Sequence, residues 1–317
     1  MIDHTSLSSV LLSLRPYAGP IALMIVFVTA LTFGFALDAT SNIPEPYGRI
    51  SSIVGWAYFT AWGLSFWPQI LTNYVRRSVV GISFDYQLYS LVGFVCYMIF
   101  NCAFFYSDAV QAEYMPFHSG HHNAVQVNDV FFSIYAVLAS LVVVFQCLVY
   151  PRGGQTLSPV AQAIAGVAAA GCALFYAAAV VYPSTFFTTL NFLYLLSYVK
   201  LAATVVKWIP QVYLNYTRKS TVGFSVWGVL LDLLGSILSI GQLVMDGAVT
   251  DDWSAVTGDP VKFGLGAVCI FFDGLVLFQH YVLYADAHDD SHHHEGNPLL
   301  KKKVVSTKKA TVVLCRP

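Results

Sequence analysis

The sequence predicts an all-α membrane protein of seven spanning helices, built as two parallel three-helix repeats joined by a linker helix. Three observations predict it. The 317-residue chain is 57% hydrophobic and only 10% charged, where soluble domains carry roughly 25% charged residues. Its apolar residues are gathered into runs of about 20, the length a helix needs to cross a bilayer core. One proline-containing segment occurs twice.

The runs cover residues 54–74, 86–106, 130–150, 159–182, 186–215, 224–245 and 263–283. Each should be a helix, because a backbone group left unsatisfied in lipid costs several kcal/mol. The short alternating segments of a membrane barrel are absent from the sequence. An eighth apolar run, residues 20–37, admits two readings. It is either an extra span or a signal sequence, with Arg15 before it and the small residues Gly34 and Ala36 placed for cleavage. Its apolar stretch is long for a signal, which leaves removal only slightly ahead.

Lysine and arginine favour cytoplasmic loops, and they alternate here. Arg76 and Arg77 follow the first span, Arg152 the third, and Arg218 and Lys219 the fifth. The tail adds Lys301, Lys302, Lys303, Lys308 and Lys309, while the intervening loops hold only Lys262. The tail is therefore expected in the cytosol. The division that results is an N-terminal segment 1–53, a first repeat 54–150, a linker helix 159–182, a second repeat 186–284 and a disordered tail 285–317. The cysteines, five of them inside spans, suggest neither a disulfide framework nor a zinc site.

The repeat is explicit. Residues 67–83 read WPQILTNYVRRSVVGIS and residues 208–225 read WIPQVYLNYTRKSTVGFS. Aligning Pro68 with Pro210 also aligns Gln69 with Gln211, Asn73 with Asn215, Arg76 with Arg218, Gly81 with Gly223 and Ser83 with Ser225. Both copies end a span of the same orientation, so the repeats are parallel, a plan that places a transported solute between the halves. Proline inside a helix removes a backbone hydrogen bond and weakens the helix by ~3 kcal/mol. Pro68 and Pro210 are thus paired hinges, with the neighbouring glutamine amides available to the freed carbonyls. The linker span, rich in Ala and Gly, carries no such motif.

Ionisable residues within spans are costly and usually line a polar path. Lys200, Lys207, Asp232 and Asp273 are in this class, and Asp129 opens the third span. Lys200, Lys207 and Gln211 share one helical face, as do Trp62, Phe66, Gln69 and Asn73. Ser225, Gly228, Gly235, Ser236 and Ser239 make a small polar face around Asp232, and Ser90, Gly93, Tyr97 and Asn101 form a milder stripe. Lysines and an aspartate in one cavity suit a solute bearing both carboxylate and ammonium groups. Asp232 is the first choice for a carboxyl that loads a proton on an acidic side and releases it on the other, with Asp129 where protons arrive.

These segments resemble the PQ-loop transporters, and further stretches resemble the cystinosin family of lysosomal proton-coupled cystine exporters. The stretches are NDVFFSIYAV at 128–137, YPRGGQ at 150–155 and YVKLAATVVKWIPQ at 198–211, followed by KSTVGFS, VLLDLLG, GDPVKFGLG and FFDGLVLFQHYVLY. The resemblance implies that Asp232 couples protons, that Lys200 and Lys207 face substrate, and that Trp62, Phe66, Gln69, Gln211 and Asn215 form the cavity or its gates. It also implies transport roles for Asp129 and Asp273. The chain departs from the family at Ser90 and Gly228, where cystinosins usually carry asparagine. In the tail, Glu295, Leu299 and Leu300 form an acidic dileucine pattern that resembles endolysosomal sorting signals read by clathrin adaptors.

The expected function is proton-coupled export of cystine or a related amino acid from the lysosome or vacuole to the cytosol. The alternatives are carriage of cationic amino acids or sugars by the same fold, and a seven-helix nutrient sensor or receptor. With no HExxH, phosphate loop or paired nucleophile and base, an enzyme is not expected. Neither is a cofactor, a metal or a nucleic-acid partner.

Overall fold

The computed structural model describes residues 17–38, 43–117, 125, 127–182, 184–251, 253 and 260–285. Arg15, residues 118–124 of the loop before the third span, and the tail from residue 286, with Glu295, Leu299 and Leu300, lie outside the described residues. Among the described residues the helices are α1 (Ala18–Ala36), α2 (Tyr47–Arg76), α3 (Phe84–Tyr106), a short α4 (Asp108–Tyr114), α5 (Val127–Val149), α6 (Pro159–Val181), α7 (Thr189–Arg218), α8 (Val226–Thr250) and α9 (Pro260–Phe278). A π-helical turn, Gln279–Leu283, continues α9. Each of the seven expected spans is helical, and the described residues contain no strand.

Among the described residues, seven helices are long and apolar enough to cross a membrane: α1, α3, α5, α6, α7, α8 and α9. The PQ helix α2 is as long as α7, at 30 residues, but its Trp, Tyr, Pro, Gln and Asn dilute its apolar content. The run at 20–37 is a helix seated against α2. Val160, Ile164, Val167, Leu174 and Val180 of α6 are exposed, a distribution that suits contact with lipid on most sides.

The two halves repeat in detail. α2 and α7 each end on a residue in the left-handed region, Arg77 at φ 48° and Lys219 at φ 50°. The cation then folds back over the last helical tyrosine, Arg77 at 4.3 Å from the Tyr74 ring and Lys219 at 3.5 Å from the Tyr216 ring. Arg76 and Arg218 donate to the carbonyls of Val80 and Val222, four residues on. Gly81 and Gly223 lie at φ 111° and 105°, which a side chain rarely adopts. Ser83 then caps α3 by accepting from the Tyr86 amide.

The largest contacts between halves are α2 on α8 and α3 on α7. Within halves, α5 lies against α2 and α3, and α9 against α7 and α8, while α6 touches α7 and α3. Apolar cores fill the ends: Cys96, Phe104, Val110, Leu190, Leu193 and Leu196 at one, and Val79, Ile82, Val143 and Cys147 at the other, basic one. Between them lies the polar interior.

Candidate functional site

The four ionisable residues expected inside the membrane are brought together. Asp232 of α8 lies within electrostatic reach of Lys207 and Lys200 of α7, and Asp273 of α9 within reach of Asp232 and Lys207. Lys200 Nζ donates to Thr204 Oγ1 at 3.0 Å and sits 4.5 Å from the Phe94 ring centre. Lys207 Nζ lies 5.4 Å from the Tyr86 ring and 5.2 Å from that of Trp208. Such cation–ring contacts hold a desolvated ammonium without neutralising it. Asp273 is fully buried, and neither carboxylate oxygen has a hydrogen-bond partner among the described residues. Asp232 is only half-buried, the less enclosed of the two carboxyls. Two cations and two carboxyls in one apolar bundle can bind a zwitterion and move a proton.

Below this cluster, at the basic end, two glutamines clasp the halves. Gln69 Oε1 accepts from the Ser225 amide at 2.7 Å, and its Nε2 donates to the Gly223 carbonyl at 3.1 Å and to Asn73 Oδ1 at 2.8 Å. Gln211 repeats this across the axis, with the Ser83 amide at 2.8 Å, the Gly81 carbonyl at 3.0 Å and Asn215 Oδ1 at 3.0 Å. A side chain on Gly81 would strike the Val222 carbonyl, and one on Gly223 the Val80 carbonyl. The loops cross backbone to backbone, and the basic end is shut.

The glutamines therefore do not serve the carbonyls freed by their neighbouring prolines, as local reading suggests. They reach across to the other half instead. Asn73, Gln211 and Asn215 are wholly buried in this closure and do not face the Asp232 cluster.

Sequence reasoning missed the amides behind the clasp. Gln146 of α5 accepts from Asn73 Nδ2 at 2.7 Å and donates to the Ile70 carbonyl at 3.0 Å. Gln279 accepts from Asn215 Nδ2 at 2.9 Å and donates to the Val212 carbonyl at 3.1 Å. The signal was available as a second duplication, VVVFQCLVY against LVLFQHYVL. Gln155, of the YPRGGQ segment, also accepts from the Gly81 amide and donates to the Ile82 carbonyl. His280 Nδ1 meets Thr221 Oγ1 at 2.7 Å.

The aromatic residues of α2 lie above the clasp. The Trp62 indole donates to the Asp232 carbonyl at 3.3 Å, and its ring lies on Gly235. Phe66 meets Phe94 at 5.5 Å and Tyr135 at 5.8 Å. Ser90 is buried, with a hydroxyl that finds no partner among the described residues. Gly228 is different: a Cβ there would lie 2.8 Å from the Ser65 carbonyl oxygen. It marks a close approach of α2 and α8, so the two departures from the family pattern are not equivalent. Asp129 is half-buried at the other end, within electrostatic reach of Tyr58, as is Asp246. Asp246 also accepts from Ser51 Oγ at 2.9 Å, a contact the sequence reading did not anticipate.

The chain matches the PQ loop repeat family over residues 50–110 and 192–251. It is 42% identical to bovine cystinosin over 236 residues, 74% of this chain and 63% of that protein. The cystinosin homolog of Dictyostelium discoideum is 40% identical over 239 residues, 74% of this chain and 81% of that one. A cystine transporter of Saccharomyces cerevisiae is 26% identical over 256 residues, 76% of this chain and 96% of that one. The chain thus spans less than two thirds of the bovine relative's length but most of the Dictyostelium one. With both PQ segments placed symmetrically at the closed end, this chain belongs to the cystinosin family of PQ-loop proteins.

Proposed function

We propose that this chain is a carrier that exports cystine, or a closely related amino acid, from an acidic lumen to the cytosol in company with protons. One observation carries the reading: Lys200, Lys207, Asp232 and Asp273 share an apolar interior whose basic end two symmetric amide clasps close. Cystine carries carboxylate and ammonium groups, and the yeast relative bears the name of a cystine transporter. The basic end is the cytosolic one under the preference of Lys and Arg for that side. Gln69, Gln211 and their partners are then the cytosolic gate, Pro68 and Pro210 its hinges, and Asp232 the proton-coupling carboxyl, with Asp129 on the luminal side. Trp62, Phe66 and Ser90 border the substrate.

Efflux from vesicles with an acidified lumen, preloaded in turn with cystine, a cationic amino acid or a sugar, decides the substrate class. Cystine flux that collapses when the pH gradient is dissipated is the expected result; sugar flux indifferent to pH would sink the reading. In the same assay Ser90→Asn should tighten cystine binding, since one added neutral hydrogen bond is worth about 1 kcal/mol, roughly fivefold in affinity. Gly228→Asn should not, because its side chain meets the Ser65 carbonyl. Equal gains from both would remove the close approach as a constraint.

The membrane we assign is lysosomal or vacuolar, reached through Glu295, Leu299 and Leu300 and a clathrin adaptor. Replacing Leu299 and Leu300 by Ala should send part of the protein to the cell surface. Unchanged residence in endolysosomes would discard this motif as the sorting signal.

A further inference from the structure

Pro210 lies 142 residues after Pro68, and the shift that relates them extends beyond the motif. It carries Tyr47–Arg76, the whole of α2, onto Thr189–Arg218, the whole of α7. It also carries Ala18–Ala36 onto residues 160–178, inside α6. The helix before the first repeat therefore stands where the linker stands before the second.

The packing follows the same rule. α6 lies along the α3–α7 seam between the halves. At its first turn, Ala161 is buried and the Ser158 amide donates to Asp85 Oδ1 at 2.9 Å. Moving Ala161 back by the shift gives Gly19, and moving Trp227 back gives Asp85. In the structure Gly19 is buried against the Trp227 ring, so closely that no side chain fits. The first turn of α1 thus meets the second residue of α8, as the first turn of α6 meets the second residue of α3.

The other end of α1 is fixed as well. Gly34 lies on Ile53, with the position of an added Cβ 3.0 Å from Ile53 Cα and 3.2 Å from its Cβ. Arg49 Nη1 donates to the carbonyls of Gly34 and Leu37, both at 2.7 Å. These are end carbonyls that a helix leaves unsatisfied, and a cation there also favours the helix dipole. Phe33 stacks on Trp56 at 4.7 Å. The buried residues Gly19, Val26, Ala30 and Gly34 lie on one face of α1. A leader removed after Ala36 would leave Trp227 uncovered and the Arg49 guanidinium without these two acceptors.

We propose that residues 18–36 are a retained eighth membrane helix, the first half's counterpart of the linker α6, which covers the α2–α8 seam as α6 covers the α3–α7 seam. The chain is then two four-helix repeats, each opening with a seam helix, and neither seam faces lipid directly. α1 starts at the basic end and finishes at the other, so residues preceding it share a side with Lys219. The proposal does not depend on what the protein carries.

Three measurements on the full-length protein test it. The mass of the purified wild-type chain should include residues 18–36; a mature chain beginning after Ala36 overturns the proposal. The double variant Gly34→Cys, Ile53→Cys places two Cβ atoms close to the separation a disulfide requires. On mild oxidation in membranes it should yield one linked peptide pair with loss of both thiols, while neither single variant does. A retained α1 that gives no linked pair would show that the helix crosses the membrane away from α2, which overturns the seam assignment. An epitope before Tyr17 should be digested from the same side as one after Lys219, and digestion from opposite sides also overturns it.

Discussion

Asp232→Asn is expected to abolish flux driven by an acidic lumen while leaving the protein folded. Asparagine matches the carboxyl in shape and keeps a hydrogen-bonding amide, but it cannot alternate between charged and neutral forms. Substrate binding should survive, because Asn resembles the protonated acid. The competing reading makes Asp232 a structural partner of Lys207 and Lys200, both of which lie within its electrostatic reach. Breaking one side of a buried pair typically costs ~3–5 kcal/mol, so that reading requires a clear fall in melting temperature. Asp273 sharpens the distinction. It is the more deeply enclosed carboxyl and lies beside Lys207, so the lysine keeps a second acidic neighbour when Asp232 is neutralised. Melting temperature and proton-driven current, measured on one preparation, separate the two readings, and a stable variant with full current would refute both.

Much of this arrangement was legible in the sequence because the duplicated segment is contiguous. Helices α2 and α7, their left-handed ends and the glycines that follow all sit inside one run of aligned residues. Charge within apolar spans likewise singled out Lys200, Lys207, Asp232 and Asp273, which the fold brings together. The clasp was harder to read. Gln69 and Gln211 were placed on the face of their own helices, and a helical wheel cannot show that their amides reach the opposite half. Gln146 and Gln279 escaped because the third helices are 133 residues apart rather than 142, the loops before them differing in length, so one alignment does not register both. Gly228 looked like a missing amide, whereas its constraint is the Ser65 backbone, a neighbour on another helix that spacing along α8 does not reveal. The run at 20–37 met the compositional tests for a leader and for a span alike. Its distinguishing contacts, to Trp227 and Arg49, are to other elements.

The symmetry of the clasp makes its own quantitative prediction. Gln211→Leu removes two bonds between the halves, to the Ser83 amide and the Gly81 carbonyl, and Gln69→Leu removes their counterparts at Ser225 and Gly223. Each bond contributes about 1 kcal/mol net. Either substitution should therefore raise the ratio of open to closed gate by about 30-fold, equivalent to about 2 kcal/mol. The polar groups left behind gain access to water as the gate opens, so the loss falls on the closed state rather than on the fold. Cys269, a free thiol near Asp232 and the lysines, supplies the readout. A membrane-impermeant thiol reagent applied from the basic side should label it faster in both variants and by similar factors, with peptide mapping to separate it from Cys147. Acceleration in one variant alone would mean that the halves do not share the closure equally. Unchanged labelling in both would mean that the crossed loops at Gly81 and Gly223 hold the gate without the glutamines.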